Sequence, residues 1–155
     1  MRCSAVVRRL FLRGLLLGGL SVVIPTAVAV DYVSVAIPAV LYDAPSLKAK
    51  KLFVAARYLP LEQVVSLDNW VKVRDSSAQL YWIEKRVLSS KRFVMVNVAV
   101  APVYQNPDAT MGVVFYAPQQ LALEWLADAG NGWLRVRHLD GAEGYIKQLD
   151  VWGGR

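Results

Sequence analysis

Aromatic and basic side chains alternate with aliphatic ones in two short stretches, and these are the residues of this chain best suited to binding. The stretch WVKVR covers residues 70–74, and WLRVR covers residues 133–137. Successive side chains of a strand point to opposite faces, so each Trp shares a face with its Arg. An aromatic ring beside a guanidinium suits a peptide or glycan, because the ring offers contact area and the guanidinium donates to carboxylates.

Each stretch has further aromatic residues nearby. The ligand-binding residues predicted from both stretches are Tyr42, Trp70, Arg74, Trp82, Tyr104, Trp133, Arg137 and Tyr145. Because Tyr42 and Tyr104 each lie just before a turn, we expect them to be exposed. In the alternative interpretation Trp70 and Trp133 are structural and lie flat as lids over a small core, covered by arginine stems.

Residues suited to catalysis are few. His138 is the single histidine and falls in a hairpin turn, where we expect it to be solvated. Glu62 and Glu124 occupy matching places, and we expect strand charges facing solvent rather than a general acid. Metalloprotease, nucleophile-elbow and phosphate-loop motifs are absent from the sequence. The sequence therefore disfavours an enzyme and predicts no catalytic residue, no metal site and no cofactor.

The first 29 residues have the features of a secretory signal. Four arginines precede an uncharged stretch over residues 14–30, and Ala27 and Ala29 form a small-x-small cleavage site. We predict cleavage after Ala29, which leaves no stable membrane span and places the protein in the periplasm or outside the cell. The alternative is an uncleaved N-terminal anchor, although three glycines and Pro25 weaken this stretch as a helix.

Charge and cysteine content narrow the function further. The chain has a net charge of +6, but after cleavage fourteen Lys and Arg face twelve Asp and Glu, leaving +2. Such a near-neutral chain gives no support for a nucleic-acid partner. The single cysteine, Cys3, lies in the predicted signal, so the mature chain would form no disulfide and must be stabilised by packing.

The remaining chain is an internal duplication. At an offset of 62, AVLYDAP from residue 39 aligns with APVYQNP from residue 101, and LPLE at 59–62 aligns with LALE at 121–124. One inserted residue moves the offset to 63, which aligns the two tryptophan stretches. A single gap over this length predicts two copies of one structural unit.

Both copies have the patterns of β-structure. Alternating aliphatic positions and regularly spaced turn residues predict short strands throughout. Residues 119–129 also suit a helix, but the matching segment 57–67 contains Pro60 and two valines, which favours strands for both. Asp140-Gly141 predicts a tight hairpin turn. Since Ala78 and Tyr81 replace the hairpin glycines in the first copy, we expect a different turn there.

These motifs resemble those of the bacterial SH3-like (SH3b) domain family. The resemblance depends on LPLEQVVSLDNWVKVRD from residue 59, GWLRVRHLDGAEGYIKQL from residue 132, and the upstream LYDAPS and VYQNPD. It implies an all-β fold of two small barrels that pack against each other behind a signal helix. The expected organisation is a signal peptide over residues 1–29, repeat one over 30–90 and repeat two over 91–155.

The resemblance also implies a class of partner. Related domains bind peptidoglycan peptides or partner proteins, so we expect a non-enzymatic binding module of the cell envelope. One alternative is a scaffold or self-associating protein that binds another envelope protein. A cell-wall hydrolase is the less favoured alternative. The sequence leaves the oligomeric state and the working repeat open.

Overall fold

The computed structural model describes residues 30–155, so the predicted signal peptide lies outside the described residues. The first seven strands are β1 Tyr32–Val35, β2 Ala39–Tyr42, β3 Lys51–Ala55, β4 Pro60–Ser66, β5 Trp70–Arg74, β6 Leu80–Glu84 and β7 Leu88–Ser89. The next seven are β8 Phe93–Val96, β9 Val100–Tyr104, β10 Val113–Pro118, β11 Ala122–Gly130, β12 Trp133–Arg137, β13 Glu143–Lys147 and β14 Val151–Trp152. Short 3₁₀ turns over Lys85–Val87 and Gln148–Asp150 precede β7 and β14.

The strands form two antiparallel sheets with the same topology. The first sheet has the order β3-β2-β6-β5-β4-β1-β7, and the second has the equivalent order β10-β9-β13-β12-β11-β8-β14. We call them barrel one (residues 32–89) and barrel two (residues 93–152). The expected all-β fold of two tandem units is therefore confirmed. No helix within residues 30–155 has the length and apolarity needed to cross a membrane.

Each barrel surrounds its own aliphatic core. Alternation in β5 and β12 buries the valines and leucine while the flanking aromatic and basic residues stay partly exposed. The core of barrel one is formed by Val35, Leu41, Ala55, Leu61, Val71, Val73, Tyr81, Ile83 and Val87. The core of barrel two is formed by Val94, Val96, Ala101, Val103, Ala117, Leu123, Leu134, Val136, Ile146 and Val151. Burial of these side chains is the main stabilising term, since each buried Val, Leu or Ile contributes about 1.5–3 kcal/mol.

The ambiguous segment over residues 119–129 is a strand, as predicted. Its residues from Ala122 onward belong to β11, which pairs with both β8 and β12. Register shifts between Trp125 and Ala127 mark a bulge in this strand, and a matching shift occurs between Gln63 and Val65 in β4. The bulges bend the two long strands at equivalent places.

The turn between β5 and β6 corrects one expectation. In barrel one the amide of Asp75 donates to Gln79 and the amide of Ala78 donates to Asp75; in barrel two the equivalent bonds join residues 138, 141 and 142. The two turns therefore have the same backbone hydrogen bonds, and the expectation of a different turn was wrong. Ala78 adopts φ +63° where Gly141 has φ +98°, so an alanine accepts the left-handed conformation here.

The two barrels pack against each other through an arginine between aromatic rings. The Arg92 guanidinium carbon lies 5.3 Å from the Tyr32 ring centroid and 4.2 Å from the Trp125 ring centroid. Its Nη2 also donates to the carbonyls of Gly153 and Arg155, at 2.8 and 2.9 Å. Burial lowers the pKa of Arg92, and the electrostatic effect of Tyr32 and Asp31 offsets part of this shift. Arg92 therefore connects the two barrels.

Aromatic pairs extend this contact on both sides of Arg92. Tyr58 stacks on Phe93 with ring centroids 4.6 Å apart, and Tyr32 meets Trp152 edge to face at 5.3 Å. Such pairs contribute about 0.5–1.5 kcal/mol beyond their area. The short connection between the barrels is thus part of a packed contact, as its lack of glycine and proline indicates.

Candidate functional site

The outward side of β5 and β6 carries the predicted aromatic residues of barrel one. Val71 and Val73 are fully buried, so Trp70, Lys72 and Arg74 point to the opposite side of the sheet. Strand pairing places Lys72 beside Trp82, and Trp82 beside Tyr42 of β2. We call Tyr42, Trp70, Lys72 and Trp82 aromatic face one.

The aromatic part of this arrangement recurs on barrel two, with a lysine at a different position. Trp133 pairs with Lys147 across β12 and β13, and Tyr145 pairs with Tyr104 of β9. Tyr104, Trp133, Tyr145 and Lys147 form aromatic face two. The sequence alignment had matched Tyr42 to Tyr104 and Trp70 to Trp133, and the structure places both pairs equivalently.

A tyrosine–tryptophan contact is the central feature of each face. The rings of Tyr42 and Trp70 meet edge to face with centroids 5.3 Å apart and an interplanar angle of 86°. Those of Tyr104 and Trp133 do the same at 5.6 Å and 86°. This geometry places the positive edge of one ring against the negative face of the other. The contact also limits ring motion, so each face is rigid before any ligand arrives.

A lysine accompanies each face. Lys72 Nζ lies 5.8 Å from the Trp82 ring centroid, and Lys147 Nζ lies 6.0 Å from the Trp133 centroid. Both distances are within the range of cation–π attraction, which is worth about 0.5–1 kcal/mol at exposed sites. The sequence had drawn attention to arginine here, whereas the cation beside the rings is lysine.

Tyr42 is less accessible than expected. Its side chain is 5% exposed, so the expectation that a position before a turn would be exposed was wrong for this residue. Tyr104, Trp70 and Trp133 are half-buried. Each tryptophan thus partly covers its barrel and leaves part of its ring exposed.

The predicted arginines lie apart from the tryptophans. Arg74 and Arg137 stand four residues further along their strands, which is about 13 Å. Arg74 Nη1 contacts Glu62 Oε1 at 2.9 Å, and Arg137 Nη2 contacts Glu143 Oε1 at 2.6 Å. Strand pairing brings these groups together, because Glu62 and Glu143 lie directly opposite the two arginines. Both guanidiniums are therefore engaged within the sheet.

The acidic partners also differ from expectation. The Glu62 and Glu124 side chains are 19% and 16% exposed, so the expectation of charges facing solvent was wrong. Glu124 contacts Lys91 at 3.1 Å and Arg137 at 3.8 Å. Hydrogen bonds from Arg137 and then Arg135 lower the pKa of Glu143. The hydrogen bond that Arg137 donates to Glu143, together with the negative charge of Glu143, raises the pKa of Arg137.

Barrel one has an additional charged pair that sequence reasoning missed. Arg86 Nε donates to Glu84 Oε2 at 2.7 Å, and Arg86 Nη2 donates to Glu84 Oε1 at 3.1 Å. The pair separates two shallow concavities of about 370 and 240 Å³, the second of which reaches Tyr42. The 3₁₀ turn after β6 positions Arg86, and no sequence motif marks this geometry.

His138 belongs to the turn between β12 and β13, as expected. Its Nδ1 lies 2.8 Å from Asp140 Oδ1, and its ring centroid lies 5.6 Å from that of Phe115. The backbone amide of Ala142 and then the His138 contact lower the pKa of Asp140. Within residues 30–155 no group of three or more His, Cys, Asp or Glu has the geometry to hold a metal ion.

Comparisons with known proteins agree with the duplication. The family model described as "Bacterial SH3 domain" matches residues 35–90 and again residues 97–153. No curated protein matches the chain.

Two solved structures from Trichomonas vaginalis are similar to the chain. NlpC2 is 16% identical with a TM-score of 0.37, over 80% of this chain and 48% of that chain. NlpC1 is 17% identical with a TM-score of 0.38, over 86% of this chain and 50% of that chain. The chain thus spans about half the length of these structures.

Proposed function

Since the chain belongs to the bacterial SH3 domain family, we propose that it is a non-enzymatic binding module of the cell envelope, exported by its N-terminal signal. Its ligand in this proposal is a peptide or a peptidoglycan-type polymer. The supporting observation is the recurrence of one Tyr–Trp edge contact, at 5.3 and 5.6 Å, on the outward side of both barrels. Trp70, Tyr104 and Trp133 lie outside the buried cores and are half-buried, whereas Tyr42 is buried.

The physical properties of the two faces favour binding. A ring held by its neighbour loses little conformational freedom when a ligand docks on it, so most of the contact energy is retained. The adjacent lysines of the faces attract a carboxylate, and the rings contact apolar or C–H surface. Arg74 and Arg137, also predicted as ligand contacts, each pair with a carboxylate, and their side chains remain 40% and 42% exposed.

Catalysis is not part of this proposal. The histidine–aspartate contact at His138 lies in an exposed turn, at the far end of β12 from Trp133. A hydrolase would require a nucleophile or base held next to a substrate cleft. Binding is therefore the function class that the aromatic faces support.

Retention on purified peptidoglycan tests the proposal. We expect the mature chain to sediment with peptidoglycan sacculi at low salt, and the double variant Trp70→Ala/Trp133→Ala to lose most of this retention. Leu47→Ala is the control, because Leu47 is 63% exposed and lies in the loop after β2, outside both faces and both edge strands. Lys72→Glu/Lys147→Glu removes the cations and leaves the half-buried rings in place.

Circular dichroism of every variant separates lost binding from lost folding. Wild-type protein that stays in the supernatant at low salt would contradict the peptidoglycan version of the proposal. Equal retention of wild type and of both double variants would contradict the role of the faces.

A scaffold function is the second candidate, favoured by exposed apolar residues on two edge strands. Phe53 and Val54 of β3 are 62% and 71% exposed, and β3 lies at the end of its sheet. Val114 and Tyr116 of β10 occupy the equivalent edge of barrel two. Edge strands with apolar side chains accept a further strand from another protein.

Light scattering and crosslinking distinguish the scaffold from the ligand-binding module. A dimer or a crosslinked envelope partner that disappears with Phe53→Asp would favour the scaffold. A monomer without crosslinked partners that still sediments with sacculi would favour the binding module.

A further inference from the structure

A cleft lies between the two barrels, on a side of the molecule that neither aromatic face includes. Its volume is about 520 Å³, and both barrels contribute to its walls. Tyr32 and Glu62 come from barrel one, whereas Asn97, Gln148, Trp152 and Arg155 come from the chain of barrel two and the residues after it. Ligand sites in proteins are typically about 300–1,000 Å³ and occur preferentially at domain interfaces.

The cleft is fixed in shape by the contact between the barrels. Tyr32 and Trp152 meet edge to face across it, and Arg92 stacks on the Tyr32 ring while binding the carbonyls of Gly153 and Arg155. A cleft whose walls are already tied together needs little ordering when a ligand enters.

Glu62, the one acidic side chain among the described residues that lines the cleft, is paired within barrel one. The Glu62 carboxylate contacts Arg74 Nη1 at 2.9 Å, which offsets its negative charge. Burial raises the pKa of the Tyr32 hydroxyl, as does Glu62, whereas Arg155, Arg92 and Arg74 lower it. The Tyr32 hydroxyl thus remains a neutral donor and acceptor between groups of opposite sign at ordinary pH.

The other polar groups suit hydroxyls. Asn97 is exposed in the cleft wall, where its side-chain amide can both donate and accept a hydrogen bond. Gln148 donates its amide to the Gly154 carbonyl, which orients its oxygen as an acceptor. Amides both donate and accept, as hydroxyls do, while the rings of Tyr32 and Trp152 provide surface for C–H groups.

From this combination we infer that the inter-barrel cleft binds a short glycan of one to three sugar rings. The inference requires no binding at the aromatic faces and adds a second site to the molecule. A sugar ring stacks on the aromatic wall, its hydroxyls bond Asn97 and Gln148, and Arg155 donates to a further oxygen. A peptide is the competing ligand, because the edge strand β14 and Arg155 also line the cleft; titration with triglycine tests for it.

Tryptophan indole resonances test this inference on the mature chain. Trp152 lines the cleft, Trp70, Trp82 and Trp133 are on the aromatic faces, and Trp125 lies against Arg92 outside the cleft lining. Titration with tri-N-acetylglucosamine is expected to shift the Trp152 indole N–H signal and to leave those of Trp70, Trp82 and Trp133 unchanged. Asn97→Ala should weaken this binding about three- to tenfold, the equivalent of one hydrogen bond. Asn106→Ala, in the exposed loop after β9, is the matched control.

Four results would overturn the inference. These are an unmoved Trp152 signal at millimolar sugar, equal affinity in the Asn97→Ala variant, a Trp152 shift with triglycine but not with the sugar, and sugar-induced shifts confined to Trp70, Trp82 or Trp133. The last result would place the glycan on the aromatic faces and so support the proposed function alone. If the protein failed to bind sacculi but the sugar still shifted the Trp152 signal, the cleft inference would be supported and the proposed function would be contradicted.

Discussion

Barrel one and barrel two share strand order and pairing register, yet their outer surfaces carry different chemistry at equivalent positions. Glu84 and Arg86 form a bidentate pair beside aromatic face one, whereas their equivalents Lys147 and Leu149 are an exposed cation and an 86% exposed leucine. The fold depends on the buried alternating residues, which are similar in both copies. The two faces therefore present different groups to a ligand on the same backbone.

The interiors differ most in side-chain size at one equivalent pair, and changing it should have the largest effect. Tyr81 fills the core of barrel one, but Gly144 stands there in barrel two. A Cβ on Gly144 would lie 2.6 Å from Val103 Cγ1 and 2.7 Å from the Tyr104 carbonyl. Gly144→Ala should therefore lower the free energy of unfolding by about 3 kcal/mol, measured by urea denaturation.

Gly112→Ala is the matched control for Gly144→Ala. The nearest atoms to its added Cβ are those of the flexible Gln105 side chain, at 3.1 Å. We expect a change below about 0.5 kcal/mol for this exposed position. Equal effects of the two substitutions would show that close packing at Gly144 does not distinguish the core of barrel two from that of barrel one.

Removal of Arg92 should have the next largest effect, because it connects the two barrels. Arg92→Ala loses two hydrogen bonds from a charged group and two ring contacts, so we expect a loss of about 2 kcal/mol. Arg57→Ala is the control, since Arg57 is exposed and stacks on one ring, that of Tyr58. Chemical denaturation monitored by tryptophan fluorescence should show reduced cooperativity for Arg92→Ala alone.

The two distal turns allow a smaller, reciprocal test. Ala78→Gly relieves a left-handed alanine and should stabilise the chain by about 0.5 kcal/mol, whereas Gly141→Ala should destabilise it by about 1 kcal/mol. Both values come from denaturation midpoints. Destabilisation by Ala78→Gly would mean that the turn of barrel one tolerates alanine without strain.

The smallest expected effect is a pH dependence confined to barrel two. The folded-state pKa of Glu143 is below its usual value of 4.5, because Arg137 and Arg135 bond its carboxylate. Its stabilisation is therefore present above pH 4.5 and is lost as the pH falls through the lower, folded-state pKa. Barrel one has Leu80 at the equivalent position.

Thermal melts between pH 6 and pH 3 measure this loss. Glu143→Gln should flatten the acid limb of the profile, and Leu80→Ala should leave its slope unchanged. Identical slopes for Glu143→Gln and wild type would show that the pairing adds no acid-labile stability.

Much of the architecture could be predicted from the sequence, because it depends on patterns that repeat. The offset of 62 to 63 residues gave the duplication, and alternation gave the buried positions Val71, Val73, Leu134 and Val136. The segment over residues 119–129 was predicted correctly because its partner copy contains Pro60. Comparison of the copies supplied information that neither copy holds alone.

Details of the candidate site depend on cross-strand neighbours, which one sequence does not show. The position of Tyr42 before a turn suggested exposure, but Trp70 and its neighbours cover it. Arg74 shares a strand face with Trp70, yet Glu62 on the adjacent strand pairs with it. The Glu84–Arg86 pair and the inter-barrel cleft arise from the 3₁₀ turn and from docking of the barrels, which leave no local signal.

The position of Arg92 between the two barrels has a consequence for polymeric ligands. Arg92 holds the two barrels together, so if both aromatic faces bind a polymer as proposed, a chain captured by the first face is presented to the second at high effective concentration. Avidity then depends on whether the repeat length of the polymer matches the separation of the two faces. The protein would in this way discriminate among long ligands by their spacing as well as by their chemical groups.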